Sequence, residues 1–223
     1  MTDPLKILVI SDQVNDLIYS PTVKDRYGDV SFVLSCGDLP YYYLEFIIDA
    51  LNVPLGFVRG NHAIKIEISE HEERTGPWGA LDLHRKCRRI NGVLVAGFEG
   101  SLRYRKGHHQ FTQFEVWLLV LGMVPRMLWN RLIYGRFLDI LISHAPPWQI
   151  NDGDDLPHQG FKAFRWFLKV FKPRYHFHGH IHLYNSAQKV CTRFEHTDVI
   201  NAYGYHMQTI SLTRSGIATD HDQ

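Results

Sequence analysis

Leu5-Lys6-Ile7-Leu8-Val9-Ile10-Ser11-Asp12 is the stretch that decides the class of this chain. Apolar residues occupy successive positions, so the segment suits a central strand covered on both faces. Reading outward, Ser20-Pro21 looks like an N-cap followed by proline at the first helical position, opening a short helix to about Tyr27. Positions 30–35 form a second strand of the buried type, 44–51 a helix and 54–59 a third strand. This βαβ alternation predicts a sheet with parallel strands and right-handed crossovers.

The middle of the chain is less regular. Positions 67–74 are charged and read as an exposed loop or lid, 93–98 as a strand, and 103–109 as polar and basic. Positions 111–134 show a helical apolar pattern broken by Gly122 and Pro125. A strand at 138–143 precedes an amphipathic helix at 160–171, with Phe161, Phe164, Leu168 and Phe171 in one stripe and Lys162, Arg165, Lys169 and Lys172 on another face. Pro173 stops that helix, a strand follows at 175–178, and 189–193, 198–202 and 207–212 read as antiparallel strands. With no internal repeat, low-complexity tract or linker, residues 1–223 are expected to form one domain.

Composition narrows the class further. At 223 residues and 45% hydrophobic content the chain can bury a sizeable core. The 24 basic residues balance 23 acidic ones to a net charge of +1, so no global field points to nucleic acid or membrane binding. Fourteen histidines exceed ordinary usage, and histidine is the commonest metal-ligating side chain. Three cysteines (Cys36, Cys87, Cys191) lack paired spacing, which fits a reduced, cytoplasmic protein. The residues before the first strand do not read as a basic segment, apolar region and cleavage site, so secretion is not expected. The apolar run from Val116 to Val124 is about half of the ~20 residues a spanning helix needs, so no transmembrane segment is expected.

The chemistry concentrates at strand ends. Asp12, Asp38, Asn61, His144, His180 and His182 each follow a predicted strand, and in open α/β sheets ligands bind in the crevice beyond those ends. His180 and His182 are two apart, so in an extended stretch both point the same way. Carboxylate, amide oxygen and imidazole together are the mixture of hard and borderline donors that a pair of divalent metals requires to hold a phosphate.

The order Asp12, Gly37-Asp38, Gly60-Asn61-His62, His144, Gly179-His180-Ile181-His182 resembles the calcineurin-like metallophosphoesterase superfamily. That family's signature is Asp-x-His, Gly-Asp, Gly-Asn-His-Asp/Glu, His and Gly-His-x-His, and the match spans residues 7 to 182. The resemblance implies an α/β fold, a four-layer αββα sandwich of two mixed sheets, the second sheet drawing on the middle and C-terminal strands. It implies two divalent or trivalent metal ions (Mn, Fe, Zn, Ni or Co), with Asp38 bridging them. Asn61, His144 and His180 would complete one site, and Asp12 and His182 would serve the other. A metal-bridging hydroxide would attack phosphorus in line, while His62 assists the leaving group as general acid or cationic stabiliser.

The chain departs from that signature twice. Val14 stands where the family most often has histidine, and valine cannot ligate a metal. Purple acid phosphatases, which resemble this chain in Gly-Asp-x-x-Tyr, place a tyrosine on iron at the position of Tyr41. Tyr41 is therefore a candidate ligand, beside a substrate-wall role and plain core packing. Ala63 stands where an acidic residue usually follows the catalytic histidine, which leaves His62 to be oriented by some other group.

Other features carry weaker expectations. Arg103 and Arg105 in the basic loop, and His158 after Asp152-Gly153-Asp154-Asp155, are candidate contacts for an anionic substrate, against the plainer reading of solvated loops. The Asp-rich loop lacks the spacing and later glutamate of a calcium loop. His176 and His178 read as packing within a strand. Segment 111–136 reads chiefly as packing across a sandwich face, with a partner surface or peripheral contact with anionic lipid as alternatives. The expected function is hydrolysis of small-molecule phosphate esters, with no specific nucleic acid partner. The alternative is a degenerate fold acting as an interaction module with one metal or none. Oligomeric state, substrate and metal identity are not written in the sequence.

Overall fold

Strand β1, Leu5–Ser11, sends alternate residues into two different cores. Ile7 and Val9 enter one apolar cluster, and Leu8 and Ile10 enter another on the opposite face, as the two-residue period of a strand dictates. The structure is a computed structural model, and it describes residues 4–63, 67–68, 73–183, 190–213 and 216–217.

The first sheet also contains β2 (Phe32–Ser35), β3 (Leu55–Phe57) and β4 (Leu81–Asp82), and closes with the last long strand, β11 (Gly204–Ile210). Its order is β11-β1-β2-β3-β4, with β11 antiparallel to β1 and the rest parallel. The second sheet is built from β5 (Cys87–Ile90), β6 (Val93–Phe98), β7 (Ile140–Ser143), β8 (Tyr175–His178), β9 (Cys191–Phe194) and β10 (Thr197–Asn201), in the order β9-β10-β8-β7-β6-β5. Its inner pairs are parallel and its two outer pairs antiparallel.

Three apolar layers glue four structural layers together. Between the sheets, Ile7, Val9, Phe32 and Leu34 meet Val93, Val95, Ile140, Ile142 and Phe177. Helices α1 (Val23–Tyr27) and α2 (Tyr41–Leu51) cover the first sheet through Val23, Tyr43, Leu44 and Ile47. Helices α3 (Gln113–Tyr134) and α4 (Lys162–Phe171) cover the second through Val116, Val120, Phe164 and Phe167. This is the αββα sandwich that the sequence resemblance implies.

Several boundaries differ from the sequence reading for local reasons. Helix α1 starts after Thr22, because Ser20 Oγ accepts the Thr22 N–H (3.3 Å) in a turn rather than capping the helix. Helix α3 is unbroken through Gly122 and Pro125. Both residues are exposed, so the hydrogen bond that Pro125 cannot donate is lost on the solvent side, where water satisfies the freed carbonyl. A capping box starts this helix: Thr112 Oγ1 accepts the Glu115 N–H (3.2 Å), while Glu115 accepts the Thr112 N–H (2.6 Å). Within 67–74, residues 67–68 and 73–74 pair antiparallel; the remainder of that expected lid lies outside the described residues. Of the C-terminal strands, β10 also pairs in parallel with β8, and β11 crosses to the other sheet.

The consequence for function is positional. The C-terminal ends of β1, β2, β3, β7 and β8 deliver Asp12, Asp38, Asn61, His144 and His180 to one rim of the sandwich.

Candidate metal centre

Three of those residues leave their strands through left-handed backbone: Asp12 (φ 64°), Asp38 (φ 55°) and His180 (φ 68°). Such a conformation costs roughly 1–2 kcal/mol for a residue with a Cβ, and strain of this kind persists where surrounding contacts over-determine it. The contacts are visible. The Asp12 carboxylate accepts the His180 N–H (3.0 and 3.2 Å) across 168 residues of sequence. Asp38 Oδ1 accepts the His62 N–H (2.9 Å), and the Asp12 N–H donates to the Gly37 carbonyl (3.1 Å).

Two glycines make this approach possible. A Cβ on Gly60 would overlap the Asp38 carboxylate, and one on Gly179 would overlap the Asp12 carboxylate and the Ser11 hydroxyl. Arg59 anchors the loop that carries Asn61 and His62. Its Nη1 lies 3.2 Å from Asp82 and 3.3 Å from Glu99, and its Nε donates to the Thr75 carbonyl (2.9 Å).

The donor set at the centre is short of a positive charge. His144 Nδ1 lies 2.9 Å from the Cys36 carbonyl and must donate to it, which leaves a bare lone pair on Nε2 in the neutral ring. That lone pair faces Asn61 Oδ1 at 3.0 Å and Asp38 Oδ2 at 3.1 Å. Asn61 is held with its oxygen inward, since its Nδ2 points to the Tyr104 hydroxyl (3.5 Å). Three acceptors converging on one point require a proton or a metal cation between them. Asp12, Asp38 and His144 bring ligand atoms within 4.8 Å of one another.

The pKa shifts report the same shortage. Burial opposes charge on His144, yet Asp38 raises the ring to about 9. Burial would lift Asp38, but His144 brings it down to about 2. Asp12 is likewise lowered against its burial, chiefly by His182, whose Nε2 is 3.8 Å from Asp12 Oδ1. His182 in turn is raised by Asp12. Burial, and then the charge on His144, press His180 down to about 3. Its Nε2 lies 2.8 Å from the Pro157 carbonyl, which fixes the proton there and frees Nδ1 as a ligand atom. The neutral, tautomerically fixed His180, and a His144 ring whose proton stands where a cation would balance Asp38, suit a divalent cation beside two carboxylates.

The sequence model of the calcineurin-like phosphoesterases matches residues 5–184. The chain belongs to that family. Membership supports metal-dependent phosphoester hydrolysis in general terms, and the family typically binds divalent metals. The fold is shared with TT1561 of Thermus thermophilus (14% identity, TM-score 0.60, covering 92% of this chain and 97% of that one). It is shared also with GAP50, the anchor in the inner membrane complex of Plasmodium (10% identity, TM-score 0.50, 96% and 82%). A further solved structure superposes with TM-score 0.63 at 17% identity, covering 92% and 95%. At these identities the likeness is one of fold alone. No curated protein matches the chain in sequence.

Not every residue singled out in the sequence turns to this phosphoesterase-family crevice. The Tyr41 hydroxyl donates to the Thr75 carbonyl (3.0 Å) and also meets Arg59, so it is engaged on groups that are not candidate ligands. Val14, at the position of the missing histidine, packs against the core under α1 and α2. Arg103 is committed to Glu115 (2.9 Å) and the Gln110 carbonyl, and Arg105 lies over the Tyr104 ring. His158 is held by Asp155 (2.8 Å) with its ring 5.3 Å from that of His180, which places the Asp-rich loop on the rim. His62 is exposed at the same rim.

Sequence reasoning missed the residues that orient the ligands. Tyr104 reaches Asn61 from inside the basic loop, where the flanking arginines drew attention instead. The Tyr203 ring lies tilted against His182 with centroids 4.8 Å apart, brought in by a bridge between Ser11 and Tyr203. The Cys36 and Pro157 carbonyls carry no side-chain signal at all.

Proposed function

We propose that this chain is a dinuclear metal-dependent phosphoric ester hydrolase. The reading rests above all on the convergence of Asn61 Oδ1 (3.0 Å) and Asp38 Oδ2 (3.1 Å) on His144 Nε2, an arrangement of lone pairs that a cation resolves. Asp38, Asn61, His144 and His180 would hold one ion, and Asp12 and His182 together with Asp38 would hold the other. Once bound, the two ions supply Lewis acidity, which makes water a nucleophile at neutral pH and neutralises charge on the phosphoryl group.

The chain's own residues then divide the remaining work. The backbone bond from His62 to Asp38 ties the leaving-group residue to the ligand set, and the His62 side chain stands exposed at the rim where an ester would bind. There it donates a proton to, or stabilises charge on, the departing oxygen. The Cys36 and Pro157 carbonyls hold His144 and His180 in their ligating tautomers. Substrates are small phosphate esters, and Tyr104 and His158 border the space they enter.

The packing of Val14 into the helix-side core favours one competing reading, an interaction module holding a single ion or none. Hydrolysis of an aryl phosphodiester by the manganese-loaded chain separates the two. The enzyme reading predicts turnover that falls about 100-fold or more in Asp38→Asn and His180→Ala; equal turnover in either variant would overturn it.

A further inference from the structure

Helix α3 is apolar on two opposite faces. Val116, Val120, Met123 and Met127 are buried against the second sheet and α4. Pointing away, Leu118, Leu121, Leu128, Trp129, Leu132 and Ile133 are exposed, Leu132 by 75%, and Phe114 extends the row at 70%. At 3.6 residues per turn these seven fall within an arc of about 140°, which Gly122 and Pro125 share. A helix apolar all round is normally buried, and a contiguous exposed patch of this kind marks an interaction surface.

The surrounding charge indicates what covers it. Helices α3 and α4 carry Arg126, Arg131, Lys162, Arg165 and Lys169 against the single acid Glu115, and Glu115 is committed to Arg103 and to the helix N-terminus. The whole chain is only +1, so this layer is strongly polarised. Beside the C-terminal end of α3, a cleft of about 500 Å³ is lined by Arg131, Arg136, Lys172, Arg174, Arg193 and His196. Among the described lining residues the one acid, Asp139, is bound by Arg136 (2.8 Å). Arg174 and Arg193 share Asp198 (3.3 and 2.7 Å), which leaves Arg131 and Lys172 as the cations nearest α3 and α4.

We propose that α3 docks the protein on an anionic phospholipid surface, its apolar stripe entering the headgroup–acyl boundary and the flanking cations meeting lipid phosphates. Aliphatic and tryptophan side chains on one face with arginines beside them are the composition of helices that lie in that boundary. By length and apolarity α3 would also suffice to cross a membrane. Its other face belongs to the core, so it lies along the bilayer instead. Pairing two copies through the same stripe is disfavoured, because an isologous contact would bring like-charged arginines of the two copies together.

Sedimentation of the full chain with phosphatidylcholine vesicles, with and without phosphatidylglycerol, tests the proposal. Binding should be at least about tenfold stronger to the anionic vesicles and weaken with salt. Leu128→Glu with Leu132→Glu should abolish it, and Arg126→Gln with Arg131→Gln should weaken it about tenfold, both variants keeping wild-type circular dichroism. No binding, or equal binding to neutral vesicles, would overturn the proposal. So would a dimer in solution that the Leu128→Glu, Leu132→Glu variant converts to monomer, since a second copy would then occupy the stripe.

Discussion

A methyl group at Gly179 has nowhere to go: it would overlap both the Asp12 carboxylate and the Ser11 hydroxyl. Gly179→Ala is therefore expected to displace Asp12 while leaving the sheets intact, and to lower phosphodiester turnover about 100-fold, since a shift of about 1 Å at a reacting centre can cost that much. Unchanged turnover would show that the close approach is dispensable. A second residue-scale prediction concerns Ala63, beside the exposed His62. If nothing else orients that ring, Ala63→Asp raises turnover on substrates with poor leaving groups; an unaltered rate counts against the role given to His62. The ligand candidates were legible because each stands in a short motif at a strand end, and those motifs in order resemble the family's signature. Tyr104, Tyr203 and the Cys36 and Pro157 carbonyls were not, because they meet the ligands only through tertiary contacts.

At the scale of elements, the capping box of α3 is the best-defined local device. Thr112→Ala removes the hydroxyl that accepts the Glu115 N–H and should cost about 1 kcal/mol in urea unfolding; no loss would mean that the box contributes nothing net. The strands of the first half could be read from continuous apolar runs, and the amphipathic stripe of α4 from its period. The break expected at Gly122 and Pro125 did not materialise, since local propensity cannot foresee which face of a helix meets solvent. The C-terminal strands were foreseen as strands but not in their destinations. Alternation shows that a segment pairs, and only the packing of the two sheets decides that β10 joins one and β11 the other.

For the whole molecule, buried neutral histidines set the acid limit of the metal-free protein. Burial holds His176 well below the usual histidine range, His178 at about 4, and His206 below its ordinary value. Below about pH 6.5 the unfolded chain takes up protons that these folded rings refuse, so stability falls on acidification by up to about 1.4 kcal/mol per pH unit for each ring. His144, raised to about 9 by Asp38 against its burial, contributes stability that is complete below about pH 6.5 and is lost as pH rises through about 9. Urea unfolding of the metal-free chain should thus weaken steadily from about pH 6.5 towards pH 4; constant stability across that window would contradict the burial of neutral rings. The central claim is that six ligands from five strand ends hold two metal ions, and elemental analysis of the purified, manganese-loaded chain tests it most directly. The account predicts two equivalents per chain in the wild type and their loss in Asp38→Asn; a folded wild-type chain that retains one equivalent or none would contradict it.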